Sequence, residues 1–532
     1  MSKRVNHLKS LFRTLVAALV LAPGATAADQ VTLTYGPFER HIPTTSLEIY
    51  AQEHQVDEHL APYLRSLTPE RQQNLHQLLT TRLDIGVVSL SQMLYSPMGE
   101  VLLRRLGELV QTEGRQNGLY GLRSALVIAA ASPEGLTLLN VMRQFPTSTL
   151  RINLAGVFAL VQTAVHLIHQ TEVAIAAIQQ QAVIEIAAAA PLPASDLDLT
   201  QPGPVPWHQA TWSLNDPSRQ RQIVADLYLP QTPHATVPVV VISHGFVSDR
   251  HSFEDLAQHL ASHGFAVATL DHPGSNRQYL DDLLQGYTTD TIDPQEFVHR
   301  PQDISFLLDV WQERQHLIPG VATVNLNQVG IIGLSLGGYT GLVAAGAQLN
   351  QAQLTATCIN TYPNINLSVA LQCQALRSTM PTASLQDPRI KAVFAINPIT
   401  SSLLGADGLG SVQVPVMMVA GSNDIIAPAL PEQIQPFMAL PTAHNYLVLL
   451  QGGNHTYSRP HELFGQLSGP DPDLARQYFK ALGLAFFKTH VAENSSYKRF
   501  LQARYAHTLS REPLPLSLVQ FLPSPLAQAL TE

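Results

Sequence analysis

The stretch Gly333-Leu334-Ser335-Leu336-Gly337-Gly338 constrains this chain more than any other. The mostly apolar run Val329–Ile332 before it reads as a strand, and the run from Tyr339 to Gly346 reads as a helix. A strand that becomes a helix within so few residues leaves space only for glycine beside the central serine. The serine takes strained dihedrals, and its hydroxyl projects at a helix N-terminus, where the dipole favours developing negative charge. A G-x-S-x-G sequence in that setting marks Ser335 as a candidate nucleophile, with Gly333 and Gly337 making the turn possible.

A hydroxyl becomes nucleophilic only when a base removes its proton, and that base needs an acid to hold its tautomer. On a parallel sheet the partners belong past the C-terminal ends of later strands, in the order serine, acid, histidine. Asp424 follows the strand-like Val414–Ala420 and His455 follows Tyr446–Leu450, so these two are the expected acid and base. His444 precedes that last strand and belongs to the opposite rim, while His461 lies further along. Asp407 is the competing acid. The histidine pair His166/His169 reads as ordinary surface or core. Two backbone donors must face a developing oxyanion. Leu336, just after the serine, supplies one; Phe246, after the run Val237–Ser243 and Gly245, supplies the other. His244 reads as a residue that fixes this loop.

Strands alternate with helices through the C-terminal two thirds of the chain, the pattern of a mostly parallel sheet. Eight strands are expected: Gln209–Leu214, Gln222–Leu229, Val237–Ser243, Ala266–Leu270, Val329–Leu334, Ala392–Ile396, Val414–Ala420 and Tyr446–Leu450, the first two antiparallel. The fold class is therefore α/β, preceded by a mostly helical domain over residues 28–185. That domain opens with an alternating strand or hairpin at Val31–Ile42. Thr68-Pro69-Glu70 and Ser132-Pro133-Glu134 read as helix starts. Leu75, Leu78, Leu79 and Leu83 mark one helix face, and Leu102, Leu103, Leu106, Leu109 and Val110 another. The run Ile152–Ile168 is expected to be a buried helix. An Ala/Pro-rich linker spans 186–206 and the catalytic domain 207–500. Residues 351–387 form a cap-like insertion, and a proline-bearing tail over 501–532 packs along the surface.

The first 27 residues carry Lys3, Arg4, Lys9 and Arg13, then an apolar core ending in Ala25-Thr26-Ala27, the form of a cleaved export signal. The protein is thus expected to be periplasmic or secreted. Cys358 and Cys373 are the two cysteines; pairing would close a loop of 15 residues, and free thiols are the alternative. Neither Cys-x-x-Cys nor His-Glu-x-x-His occurs, and no metal or cofactor is expected. The isolated Ser495-x-x-Lys498 has no companion motif. A net charge of -9 and the lack of a basic stripe argue against nucleic acid as a partner. Charged residues make up 13%, about half the usual share, which leaves apolar surface to bury or to line a pocket.

The block from Val241-Ile242-Ser243-His244-Gly245-Phe246 through His299-Arg300-Pro301-Gln302-Asp303 to Gly333-Leu334-Ser335-Leu336-Gly337-Gly338 resembles the platelet-activating-factor acetylhydrolase branch of the α/β-hydrolases. The likeness covers roughly residues 220–460. It implies an eight-stranded α/β-hydrolase fold, a Ser–His–Asp triad without metal, and short or oxidised acyl esters of phospholipids as substrates. The N-terminal block, with Gly118-Leu119-Tyr120-Gly121-Leu122-Arg123, resembles a domain of unknown function found ahead of such hydrolases in cyanobacteria, often described as dienelactone hydrolases. Two departures matter. The acetylhydrolases carry their acid after the sixth strand, where this chain has Asn397, so the acid role passes to Asp424. Dienelactone hydrolases use cysteine where this chain has Ser335.

The expectation is a serine esterase or lipase-type hydrolase acting on a small-molecule or lipid ester, in transient contact with membrane surfaces and with no obligate partner. An amidase, peptidase or thioesterase on the same triad is the alternative, because the triad does not select the leaving group. A non-catalytic exported binding protein is the other class.

Overall fold

The structure is a computed structural model. It describes residues 28–191, 197–232, 235–314, 322–359, 364–381, 383–457 and 468–522. The expected signal at 1–27, His461 and the end of the tail lie outside the described residues. The chain divides into two compact units, Met1–Ala159 and Leu160–Glu532. The division falls inside one helix, Leu154–Ala188, and the Ala/Pro-rich stretch lies within the second unit.

The first unit carries a four-stranded sheet in the order β2-β1-β4-β3, with helices packed on it. Strands β1 (Gln30–Tyr35) and β2 (Phe38–Pro43) form the expected hairpin, turning at Gly36 with φ of +58°. β1 also pairs in parallel with β4 (Thr149–Asn153), which pairs antiparallel with β3 (Val110–Gln111). The helix Pro69–Thr80 starts where Thr68 predicts, the Thr68 hydroxyl accepting the Arg71 N–H. Its apolar face is narrower than expected: Leu79 is buried, Leu78 is exposed, and Leu83 lies past the helix end. Leu106 is likewise exposed on the helix Pro97–Leu109, while Leu103 is buried. Ser132 does not start a helix. It ends the helix Leu119–Ala131, and the next helix, Leu138–Arg143, is capped by the Thr137 hydroxyl on the Asn140 N–H. A hydroxyl before proline also suits a helix exit, since proline cannot continue the helix.

The run Ile152–Ile168 was expected to be a buried helix, and this is corrected. Ile152 and Asn153 finish β4, and the 35-residue helix that follows exposes Val161, Val165 and Ile168. No helix among the described residues is long and apolar enough to cross a membrane.

The second unit has the α/β-hydrolase fold. Its sheet has nine strands rather than eight, in the order β13-β12-β11-β10-β9-β7-β8-β6-β5. The strands are β5 (Trp207–Asp216), β6 (Arg221–Pro230), β7 (Thr236–Ser243), β8 (Ala266–Leu270), β9 (Thr323–Leu334), β10 (Ile390–Ile396), β11 (Val416–Gly421), β12 (Tyr446–Leu450) and β13 (Leu516–Val519). β5 and β6 are antiparallel as expected, β6 and β8 also, and β7 through β12 run parallel apart from their crossovers. The extra strand comes from the tail, which forms the helix Ala503–Leu509 and then pairs β13 antiparallel on β12. The apolar runs of the central strands are buried on both faces, as a covered parallel sheet requires. Phe394 points to the helix Pro472–His490, packing on Phe479 and Phe486. Its neighbour Val393 and Ile331 of β9 point the other way, to the helix Leu336–Ala344 at Gly341.

Chain order reverses at β7, whose neighbours are β8 on one side and β9 on the other. Such a switch point leaves a crevice at the C-terminal ends of the strands. The pairs Ser243↔Gly333 and Leu334↔Ile396 bring the ends of β7, β9 and β10 level there.

The segment 351–387 contains the helices Gln351–Ile359 and Ser368–Gln372 and a 3₁₀ turn at Cys373–Arg377, and its described residues from 378 on are irregular. The fully buried Glu432 holds it down. Its carboxylate accepts from Asn366, Ser368 and Gln372 on one side and from Thr400 and Ser401 on the other. Cys358 and Cys373 are disulfide-bonded. Closing a 15-residue loop should contribute about 3 kcal/mol. The double variant C358S/C373S is therefore expected to lose about that much in urea unfolding; an unchanged midpoint would show that the bond does not form in the protein.

Candidate active site

The turn after β9 folds as tightly as its glycines imply. Ser335 has φ of +55° and ψ of -115°, outside the regions that side-chain-bearing residues favour. A Cβ on Gly337 would lie 2.0 Å from the Ser243 carbonyl oxygen, and one on Gly333 would lie 2.1 Å from the Gly337 oxygen. Neither position admits a side chain. The Ser335 N–H donates to the Ile396 carbonyl at 2.8 Å, tying the bend to the end of β10. Leu336 opens the helix, so its amide has no carbonyl one turn back to bond.

Three of the expected residues come together here. His455 Nε2 lies 2.9 Å from Ser335 Oγ, and His455 Nδ1 lies 2.7 Å from Asp424 Oδ2. The second carboxylate oxygen, Asp424 Oδ1, accepts the amides of Ile426 at 2.9 Å and Ala427 at 2.8 Å. With both oxygens engaged the carboxylate cannot swing, so it accepts the Nδ1–H hydrogen bond, which keeps the proton on Nδ1 and leaves Nε2 to accept from the hydroxyl. Ser335, Asp424 and His455 are all buried, at 6%, 5% and 8% exposure. Low exposure strengthens each of these contacts. Asp407 sits in the short helix Gly405–Leu409 and does not reach the imidazole. His444 precedes β12 and lies beside His490, at the other end of that strand.

The loop after β7 is built differently from expectation in one respect. Gly245 was expected to supply the tight turn, yet its φ is ordinary and the left-handed residue is Val247, at +52°. The turn's own hydrogen bonds come from the neighbours of Phe246: Val247 N–H to Ser275 and Ser248 N–H to Gly245. His244 fixes the loop. Its Nε2 accepts the His272 N–H at 3.0 Å, so its Nδ1 carries the proton, which it donates to the Gly245 carbonyl at 2.7 Å.

Beneath this loop lies a buried polar layer. Arg300, on the helix Glu296–Arg314, donates to the His244 carbonyl at 2.6 Å. His272 bonds the Ser243 hydroxyl at 3.0 Å through Nε2 and Asp303 at 2.9 Å through Nδ1. Asp303 in turn accepts from Arg221 and Arg219. Burial pushes the basicity of both His244 and His272 well below the usual range, and the nearby arginines push the same way. Burial also lowers Arg300 to about 10, with Glu296 and Asp303 opposing. Arg300, His272 and Asp303 were not singled out from the sequence. The available signal was the block His299-Arg300-Pro301-Gln302-Asp303, which carries part of the family resemblance and puts Arg300 and Asp303 one turn apart.

The residues 27–153 match the family described as alpha/beta hydrolase of unknown function (DUF1400), and residues 234–402 match the family described as serine aminopeptidase, S33. No curated protein matches the chain. The fold and these two matches define an α/β-hydrolase, in general terms a serine hydrolase, preceded by an N-terminal domain of unknown function. The S33 family includes both peptidases and esterases.

The buried histidines make stability depend on pH. Unfolding frees His244 and His272 to protonate near their ordinary value of about 6.5, while in the folded protein they stay neutral well below it. The unfolded chain therefore binds more protons below about pH 6.5, and stability falls as pH drops through that value. Each histidine can contribute up to about 1.4 kcal/mol per pH unit. Urea midpoints are expected to fall between about pH 6.5 and 5, above the range where most carboxylates titrate; equal midpoints across that window would contradict this.

Proposed function

We propose that the protein is a carboxylic ester hydrolase in which Ser335 is the nucleophile, His455 the base and Asp424 the group that orients His455. The observation that carries this reading is the unbroken line Asp424–His455–Ser335, at 2.7 and 2.9 Å, ending on a strained bend at the switch point of the sheet. His455 accepts the hydroxyl proton through Nε2 as Ser335 Oγ bonds to the ester carbonyl carbon. The amides of Leu336 and Phe246 face the oxygen that takes up the charge. The imidazolium then gives its proton to the departing alcohol, leaving an acyl-serine. A water molecule, deprotonated by His455, attacks that ester, and Ser335 regains its proton as the acid leaves.

The sequence likeness to the acetylhydrolase branch favours an ester, with phospholipid or other short-acyl lipid esters as the substrate class. Export fits the disulfide, since such bonds persist in oxidising compartments. Peptide or aminoacyl amide cleavage is the second reading, and the match of residues 234–402 to the serine aminopeptidase family favours it.

Purified protein should react with a fluorophosphonate probe, and S335A should not. S335A is expected to lose about 10⁴-fold or more in kcat on a chromogenic ester; near-wild-type turnover would exclude Ser335 as the nucleophile. Comparing acyl esters of increasing length with aminoacyl anilides separates the two readings. Preference for the anilides would replace the ester reading, and a flat acyl-length profile would remove the lipid substrate class.

A further inference from the structure

The residue directly after β10 bonds both the strand that leads to Asp424 and the loop that carries His455. Asn397 is fully buried and holds φ of +42°, a left-handed conformation unusual for a residue with a side chain. Its backbone N–H donates to Val419 of β11 at 3.0 Å. Its Oδ1 accepts the Gly421 N–H at 3.1 Å, three residues before Asp424. Its Nδ2 donates to the carbonyls of Asn454 at 2.8 Å and of His455 itself at 3.0 Å, with the Tyr457 hydroxyl at 3.3 Å. One residue earlier, the Ile396 carbonyl accepts the Ser335 N–H. These partners settle which end of the amide is which: oxygens surround the nitrogen, and an N–H meets the oxygen.

We infer that Asn397 is the positioning residue of this site. Its carboxamide clamps the backbone of His455 to the strand end that leads into Asp424, at the spacing where the imidazole reaches both partners. The role needs two donors and one acceptor on a short planar group, which among the side chains of that length only asparagine supplies. This inference rests on the triad reading above. Asn397 itself does not meet the substrate.

The substitution Asn397→Asp keeps the shape and removes the donors. When ionised, the new carboxylate would set an oxygen against two carbonyl oxygens at 2.8 and 3.0 Å, which displaces the His455 loop. When protonated, it regains one donor. Repulsion and burial both favour the protonated form, so its titration moves up towards neutral pH. Of the titratable groups on the segments bonded to position 397, the Tyr457 hydroxyl meets it directly, His455 meets it through its backbone carbonyl, and Asp424 lies three residues past the Gly421 amide. Arg476, from the helix Pro472–His490, bonds the Tyr457 carbonyl, and Glu432 reaches the amides of Thr400 and Ser401.

The test compares full-length wild type, N397A and N397D on one chromogenic ester from about pH 5.5 to 8.5, with rates expressed per site labelled to completion by the fluorophosphonate. N397A is expected to lose roughly 10²-fold in kcat at every pH, with KM within about threefold. N397D is expected to match that loss at high pH and to recover at least about tenfold, relative to wild type, as pH falls. A residue that merely stabilises the fold would lower the number of labelled sites and leave the rate per site unchanged. That result, or a constant ratio of N397D to wild type, overturns the inference while leaving the triad reading intact. A wild type that takes no label brings down the triad reading and this inference with it.

Discussion

The bend after β9 packs against its neighbours so closely that nothing else in the site has freedom to be elsewhere. Gly337 lies where any Cβ would strike the last carbonyl of β7, and Gly333 where any Cβ would strike Gly337. Ser335 is forced into its strained conformation by this contact and by its hydrogen bond to Ile396. The same closeness puts the first amide of the helix Leu336–Ala344 beside the loop that leaves β7. Hydroxyl, helix terminus and loop therefore share one corner because two glycines allow three strand ends to meet.

Two different kinds of support surround that corner. On the side of β7 the loop is held from below by buried ionic groups: Arg300 on the His244 carbonyl, and His272 between Ser243 and Asp303. Burying guanidinium groups is costly unless they are paired, and Asp303 meets both Arg219 and Arg221. On the side of β11 and β12 the support is neutral, from Asn397 and the backbone amides that hold Asp424. The division makes electrostatic sense. In the proposed reaction the loop after β7 presents an amide donor, and cations beneath it reinforce that polarity. In the same proposal the imidazole gains and loses a proton, and a fixed cation beside it would oppose protonation.

The parts of this arrangement that were legible in the sequence are those carried by local pattern. Ser335 announces itself through glycines two residues either side and a strand-to-helix change. Asp424 and His455 follow recognisable apolar strands, so the rule that chemistry gathers at the C-terminal ends of strands was enough to choose them over Asp407 and His444. What escaped depends on contacts distant in sequence. The clamp at Asn397 joins residues up to 60 positions apart, and an asparagine after a strand carries no local sign of that. β13 is a short run among prolines that becomes a strand only because β12 offers an edge. Ser132 misled because a hydroxyl before proline serves a helix end as well as a helix start. The long helix misled because apolar composition alone does not say which face is covered.

Backbone strain separates the site from the rest of the molecule. Seven described residues other than glycine have positive φ. Four of them, His54, Arg115, Gln220 and Glu493, are exposed, where water can satisfy a distorted backbone. The other three, Val247, Ser335 and Asn397, are buried, and they follow β7, β9 and β10, three neighbouring strands. A buried residue keeps such a conformation only when its surroundings over-determine it. Here each has its own restraint: Ser275 bonds the Val247 amide, Ile396 bonds the Ser335 amide, and Val419 bonds the Asn397 amide. The strain is thus spread over three strand ends that the sheet already holds in register. An acyl transfer site gains from such rigidity, because donors fixed before the reaction need no reorganisation when charge develops. Relaxing any one of the three would shift a strand-end loop relative to the other two, so the fold stabilises the site by making its distortions mutually dependent.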